Sequence, residues 1–81
     1  MLEAVMLSMA PGGCSGKSPA VPGGEKFALV YSGEVTLTLG QEGHALKQGD
    51  SITFSTATTQ QWDNTGKIPA EVVLVSLRIL P

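Results

Sequence analysis

The sequence predicts an all-β domain, a small antiparallel β-barrel or jelly roll, and three observations support this fold class. Apolar residues alternate with polar ones in Glu34–Leu39, which is the period-two pattern of a half-buried strand. Amphipathic helical periodicity is hard to find anywhere in the chain. Most of the ten glycines lie in the short breaks between apolar runs, and short strands separated by frequent turns are typical of a barrel or sandwich.

The remaining strands are predicted from short apolar runs. Glu71–Ile79 is almost continuously apolar around Val72–Val75, so both faces of that strand are expected to be covered. Ser32 and Gly33 form a turn that is expected to join the preceding strand to Glu34–Leu39 as a hairpin. The other predicted strands are Ala4–Met9, Ala28–Tyr31, Ser51–Phe54 and Gln60–Asp63.

One long segment, Pro11–Gly24, carries no strand pattern and is predicted to be irregular. A loop of this length in a small domain is either functional or loosely ordered. Within it, Gly16, Lys17 and Ser18 copy only the last three residues of a phosphate-binding loop. The place of that motif's first glycine is taken by Pro11, so the segment is not a phosphate-binding loop.

The length and charge of the chain indicate a single domain over residues 1–81 that pairs with a second copy. A chain this short buries only about 60% of its unfolded surface. Charged residues make up 15% of the chain, so some apolar surface is expected to be covered in a homodimer. The net charge is −2 and the five basic residues are scattered singly, which argues against direct nucleic-acid binding.

The N-terminus and the cysteine content predict a cytoplasmic protein. Glu3 stands where a secretory signal would carry a basic region, and no long apolar run follows it. No segment reaches the roughly 18 apolar residues of a membrane span, so no membrane contact is expected. The single Cys14 excludes an internal disulfide and a cysteine-based zinc site, which suits a reducing compartment.

Two segments of this β pattern resemble the paired motifs of the cupin superfamily. The clearer one, Gly49–Asn64, has a Gly-Asp turn, an apolar strand and an Asn at its end. The other, Glu25–Val35, is similar to the family's Glu-Phe strand that leads into a tight glycine turn. Between them, Gly40–Leu46 is similar to the variable inter-motif hairpin. The resemblance covers most of the chain, Pro11–Ile79, and implies a cupin-like fold.

The same resemblance implies that this chain has lost the metal site of the family. Metal-binding cupins use two His and one Glu from the first motif and one His from the second. These positions fall on Ala20, Pro22, Lys26 and Gln60. A lysine ammonium has no lone pair to give a cation, so no metal and no other cofactor is predicted. A β-bulge could turn Glu25 inward instead of Lys26, but one carboxylate and one amide would still not make a first-row metal site.

The family positions converge inside the barrel, so the resemblance implies a pocket that holds an ammonium and an amide. An ammonium in a mostly apolar pocket favours a small anion such as a carboxylate; alternatively, Lys26 snorkels to solvent. Trp62 shares the face of Gln60 and is expected to line the pocket or to fill the core, whereas Asn64 is expected to form a turn. The candidate ligand-binding residues are Ala20, Pro22, Lys26, Ala28, Gln60 and Trp62.

The other reactive side chains are not expected to be catalytic. His44, the single histidine, lies in the inter-motif hairpin and is expected to be a solvated surface group. Cys14 would need His44 as its base, a pairing that is not expected. Tyr31 is five residues from Lys26, so alternation places the two side chains on opposite faces.

Three functions are compatible with the sequence. The resemblance favours a non-catalytic module that binds a small molecule and dimerises, like the cupin domains of bacterial helix-turn-helix transcription regulators. The alternative is a small free-standing enzyme: a metal-independent isomerase or epimerase, or a metal-dependent enzyme if the motif register is different. The third is a purely structural dimeriser with a filled interior. An open cavity would favour binding over a purely structural role.

Overall fold

A computed structural model describes residues 2–78, which form eight strands in two antiparallel sheets. The first sheet has the order β1-β8-β3-β6 and the second the order β2-β7-β4-β5. The predicted all-β jelly roll is therefore confirmed, with two facing sheets rather than a closed barrel. The strands are β1 (Leu2–Met9), β2 (Cys14–Ser18), β3 (Gly24–Ser32), β4 (Glu34–Leu39), β5 (Glu42–Lys47), β6 (Ser51–Ser55), β7 (Gln60–Asp63) and β8 (Ala70–Arg78).

Most of the predicted strands are confirmed within one or two residues. β4 and β7 have the predicted bounds, and β1 and β6 extend their predictions slightly. The hairpin expected around Gly40–Leu46 is formed by β4 and β5, in which Val35 faces Leu46. β8 begins at Ala70, and Ile79 of the predicted last strand lies outside the described residues.

The predicted hairpin of β3 and β4 is wrong. β3 pairs with β6 and β8 in the first sheet, whereas β4 pairs with β5 and β7 in the second. Gly33 lies between them with φ of 83°, a conformation that favours glycine. A Cβ on Gly33 would lie 2.8 Å from the Cα of Ala70. The glycine therefore lets the chain cross from one sheet to the other against β8, instead of folding back as a hairpin.

The segment Pro11–Gly24 is not irregular throughout, because β2 lies inside it. Ser18 pairs with Gln60 on β7, and the register shifts between Cys14 and Lys17. The hydroxyl oxygen of Ser15 accepts a hydrogen bond from the Trp62 amide at 3.0 Å, which fixes the irregular part of this pairing. The strand is defined by its partner β7 rather than by an apolar pattern of its own.

The core lies between the sheets and is made by the alternating residues that face inward. In β4, Val35 and Leu37 are buried, whereas Thr36 and Thr38 face outward. Such alternation is expected of antiparallel strands with one covered face. The other buried apolar residues are Met9, Ala28, Val30, Phe54, Trp62, Ala70 and Val72.

Burial decreases along the two central strands of the first sheet. On β8, Val72 is fully buried whereas Ser76 is half-buried, and on β3 Val30 is buried whereas Lys26 is half-buried. Ser76 and Lys26 are register partners, so both strands leave the core at the same end. The sandwich is therefore packed at one end and open at the other.

The outer faces of the two sheets differ in polarity. The outward positions of the second sheet carry polar residues such as Thr36, Thr38 and Gln61. In the first sheet, those of β1, β8 and β3 are mostly apolar, whereas β6 carries Ser51, Thr53 and Ser55 there. The expectation that both faces of β8 are covered is not met within one chain, since Leu77 is 43% exposed. The outward apolar residues of the first sheet, termed the outer apolar face below, are Leu2, Ala4, Met6, Phe27, Leu29, Val73, Val75 and Leu77.

No helix occurs in the described part of the chain, so none there is long and apolar enough to cross a membrane.

Candidate functional site

A cavity of about 320 Å³ lies at the open end of the sandwich, between the ends of the two sheets. Its wall is mixed in chemistry, with charged, neutral polar and apolar side chains. This volume is at the small end of the range of about 300–1,000 Å³ that is typical of ligand pockets. The residues that line it are Glu3, Ser18, Pro19, Val21, Lys26, Thr56, Gln60, Ser76 and Leu77.

Three residues of the first sheet form one inward-facing row at this cavity. Glu3 on β1 pairs with Ser76 on β8, and Ser76 pairs with Lys26 on β3. The register is continuous on both sides of Ser76, so the three side chains share one face of the sheet. The row places a carboxylate and an ammonium on either side of a hydroxyl.

The opposite wall is provided by the second sheet, where Gln60 and Ser18 are register partners. Gln60 is only 4% exposed, because it belongs to the inward-facing set of β7. Because Gln60 lines the cavity, its side-chain amide can offer a donor and an acceptor to a bound molecule.

The rim of the cavity is held by Thr56, which follows β6. Its hydroxyl contacts the carbonyl oxygens of Val21 and Gly24, the latter at 3.1 Å. The backbone adds two more bonds, from Val21 N to Thr56 O at 2.7 Å and from Thr56 N to Gly24 O at 3.0 Å. These bonds fix the segment before β3, which brings Pro19 and Val21 to the cavity.

The six residues predicted to bind a ligand are divided by the structure into three groups. Lys26 and Gln60 line the cavity on opposite sheets. Ala28 and Trp62 are buried in the core and are not among the lining residues. The remaining two, Ala20 and Pro22, are exposed; their neighbours Pro19 and Val21 line the cavity instead.

Seven of the nine lining residues were not predicted from the sequence, and they include the polar residues Glu3, Ser18 and Ser76. Glu3 is in phase with Val5, Leu7 and Met9 on β1, and this alternation is the signal that could have placed it on the inward face. Ser76 could have been found in the same way on β8. Ser18 had no such signal, because the sequence of β2, Cys14–Ser18, shows no alternation of apolar and polar residues.

The donor set around the cavity does not fit a divalent transition metal. Among the described residues, no group of three His, Cys, Asp or Glu side chains converges. Glu3 is the single carboxylate at the cavity, and transition-metal sites use three or four good ligands. The alternative register for Glu25 does not apply, because Glu25 pairs with Ser55 and Leu77 in an unbroken ladder and is exposed.

The other side chains singled out in the sequence lie away from the cavity. The His44 imidazole is 3.9 Å from the Glu42 carboxylate in the β4–β5 hairpin, and Cys14 is an exposed free thiol. Tyr31 is 60% exposed, on the opposite face of β3 from Lys26, as alternation predicts. The cavity therefore contains none of the three groups.

Two buried residues, Trp62 on β7 and Asn64 at its C-terminal end, belong to the core rather than to the cavity. The Asn64 amide donates hydrogen bonds to the carbonyls of Met9 at 3.0 Å and Ile68 at 2.9 Å. Its oxygen accepts one from Gly66 N at 2.9 Å, which confirms a turn-forming role. Trp62 fills the core, and its indole N–H has no partner among the described residues.

The comparisons with known proteins agree with this two-sheet architecture. The family model of the cupin domain matches residues 5–76. No curated protein matches the chain. Among solved structures, the cupin domain of an XRE-family transcriptional regulator from Enterobacter cloacae is similar at a TM-score of 0.85 and 21% identity, over 93% of this chain and 79% of that one.

Two further solved structures show that the fold is shared by proteins described as enzymes. A predicted oxalate decarboxylase from Thermotoga maritima has a TM-score of 0.84 at 19% identity, over 93% of this chain and 64% of that one. A sugar phosphate isomerase of the cupin superfamily from Silicibacter pomeroyi has a TM-score of 0.78 at 22% identity, over 95% of this chain and 50% of that one. At such identities the likeness shows the fold alone. With the family model matching nearly the whole chain, the protein belongs to the cupin domain family.

Proposed function

We propose that this cupin domain is a non-catalytic module that binds a small organic anion in the cavity at its open end, without a transition metal. The observation that carries the proposal is the pair formed by Lys26 and Gln60. They line one cavity from opposite sheets, at the positions where the family resemblance implies metal ligands. An ammonium and an amide at those positions bind oxygen atoms of a ligand rather than a cation.

The environment of Lys26 supports an anionic ligand. Lys26 is half-buried beside Ser76 and Phe54, where water screens its charge less than at an open surface. A carboxylate there would form a charge-assisted hydrogen bond with the ammonium. The Gln60 amide, which lines the same cavity, would supply a second hydrogen bond.

The test is a titration of ¹⁵N-labelled protein, followed by NMR, with short carboxylates from acetate to succinate. We expect the backbone amides of Lys26, Gln60 and Ser76 to shift on binding. Lys26→Met keeps the length of the side chain but removes the charge. It should weaken binding at least about tenfold, since hydrogen bonds to charged groups contribute about 1.5–3 kcal/mol.

Lys47→Met is the matched control, because Lys47 is exposed and does not line the cavity. Its affinity for the carboxylates should equal that of the wild type. Absence of shifts at the cavity with every carboxylate would contradict the proposal. Equal affinities of Lys26→Met and the wild type would contradict it as well.

We also propose that a second copy of the chain covers the outer apolar face. The support is the contrast between the sheets, since the second sheet follows the usual apolar-in, polar-out alternation and the first does not. Charged residues on the outer side of the first sheet, Glu25 and Glu71, lie at its two ends rather than at its centre. A self-complementary apolar face suits a twofold symmetric dimer.

A ligand-binding dimer suits the effector domain of a transcription regulator, and we propose this role for the chain. The support is the similarity in fold to the cupin domain of the XRE-family regulator, of which the chain spans 79%. In such a role the ligand at the open end would change the pairing of two copies. A cytoplasmic location follows from this proposal.

A further inference from the structure

We propose that the ligand of the cavity is a zwitterion of the size of an α-amino acid, whose carboxylate meets Lys26 and whose ammonium meets Glu3. This inference rests on the proposed function and names the class of ligand. Its basis is the charge pattern of the row Glu3, Ser76 and Lys26 on the first sheet. The family resemblance contributes nothing to it, because Glu3 lies outside both cupin motifs.

The two opposite charges are separated by one strand. Register partners on neighbouring antiparallel strands have Cα atoms about 4.5–5.5 Å apart, which places the backbones of Glu3 and Lys26 about 10 Å apart across Ser76. Ion pairing among the described side chains is limited to His44 and Glu42. Neither Glu3 nor Lys26 therefore forms an ion pair with another described side chain.

The distance between the two charges suits a small ligand that carries both signs. Two hydrogen bonds of about 2.7–2.9 Å each and the short carboxylate-to-ammonium span of an α-amino acid would bridge the row. The cavity of about 320 Å³ has room for a molecule of the size of an α-amino acid. A larger zwitterion, such as a peptide, would extend past the rim formed by Pro19 and Val21.

The neutral groups around the row can satisfy the remaining hydrogen bonds. Ser76 lies between the charges, and its hydroxyl is both donor and acceptor. On the opposite sheet, Gln60 is buried and lines the same cavity, so its amide can both donate to and accept from a polar ligand there.

Glu3 also gives the site a means of discrimination. A ligand with a carboxylate alone would meet repulsion from Glu3 as well as attraction from Lys26. An ammonium on the same ligand converts that repulsion into attraction. A direct pair of Glu3 with Lys26 is not among the ion pairs of the described side chains.

The experiment compares three α-amino acids with their 2-hydroxy acids, which replace the ammonium by a hydroxyl. L-Alanine, L-leucine and L-phenylalanine are titrated into the ¹⁵N-labelled full chain against lactate, 2-hydroxyisocaproate and phenyllactate. We expect at least one amino acid to bind about tenfold or more tightly than its hydroxy acid. The shifts should include the amides of both Glu3 and Lys26.

Glu3→Gln should abolish this preference without weakening the hydroxy acids, since it removes only the partner of the ammonium. Lys26→Met should weaken both members of each pair. The matched control is Glu34→Gln, because Glu34 is exposed and does not line the cavity; it should keep the preference. Both Glu3 and Glu34 are exposed, so neither substitution is expected to unfold the chain.

Three results would overturn the inference. Equal binding of each amino acid and its hydroxy acid would show a carboxylate site that ignores Glu3, so the proposed function would stand while the inference fails. A preference that survives in Glu3→Gln would assign the ammonium to another group. Absence of binding by all six compounds and by the short carboxylates would overturn both proposals.

Discussion

The side chain of Asn64 joins three separate parts of the fold. It is buried, and its three hydrogen bonds connect the end of β1, the turn after β7 and the segment before β8. Its backbone also exchanges bonds with Gly12 and Gly13, at 3.1 Å and 2.9 Å. The residue therefore fixes the packed end of the sandwich, opposite the cavity.

Asn64→Ala should lower the free energy of unfolding by about 3 kcal/mol, because each polar group left unpaired in the interior costs about 1–3 kcal/mol. Urea unfolding followed by the fluorescence of buried Trp62 measures this loss at fixed protein concentration. The neighbouring Thr65→Ala, at an exposed position, should change the stability by no more than about 0.5 kcal/mol. Similar losses for the two variants would contradict the role of Asn64.

The sequence predicts only some of the cavity residues, and the reason differs from residue to residue. Lys26 and Gln60 were found because a family resemblance aligned them with functional positions. Ala20 and Pro22 were aligned in the same way, but the segment before β3 follows the bonds of Thr56 rather than the alternation of a strand. Glu3 was missed because it lies far from Lys26 in the sequence and shares a row with it only through Ser76 on β8.

At the scale of elements, the first sheet leaves large apolar side chains exposed, among them Leu2, Met6 and Phe27. Ala4 on β1 and Ala45 on β5 are both exposed alanines on outward positions of edge strands. Ala4 belongs to the outer apolar face, whereas Ala45 faces outward from the polar second sheet. They form a matched pair for testing which face a second copy covers.

Ala4→Asp should convert the proposed dimer to monomers, because an unpaired carboxylate buried in an apolar interface is costly. Ala45→Asp should leave the dimer intact. Sedimentation equilibrium measures the mass, which for the wild type should be twice the chain mass of 8.4 kDa. A wild type of single-chain mass, or equal dissociation of both variants, would rule out the outer apolar face as the dimer interface.

The same sheets show which elements a sequence can predict. β4 and β7 were predicted with their bounds because their inward positions alternate strictly. β2 was missed because Cys14–Ser18 is rich in small polar residues, and only its pairing with β7 makes it a strand. The hairpin of β3 and β4 was predicted wrongly because a glycine turn looks alike whether the chain folds back or crosses to the other sheet.

At the scale of the whole molecule, the two ends of the sandwich differ in role: one stabilises the fold and the other holds the candidate binding site. The packed end holds the buried apolar core and the Asn64 bonds, so it stabilises the fold. The open end leaves polar groups of both sheets around a cavity, at the positions where the family resemblance implies a metal. The central claim is that an ammonium and an amide stand there in place of metal ligands, so that this cupin domain binds an organic anion without a transition metal.

Metal content measures this claim most directly. Protein purified without chelator is incubated with excess Mn²⁺, Fe²⁺, Ni²⁺ and Zn²⁺, desalted, and analysed by mass spectrometry of the elements. We predict far less than one retained metal ion per chain for each cation, because Lys26 and Gln60 cannot replace a set of three or four good ligands. One equivalent of any of these metals per chain would contradict the account and would indicate a metal-dependent site instead.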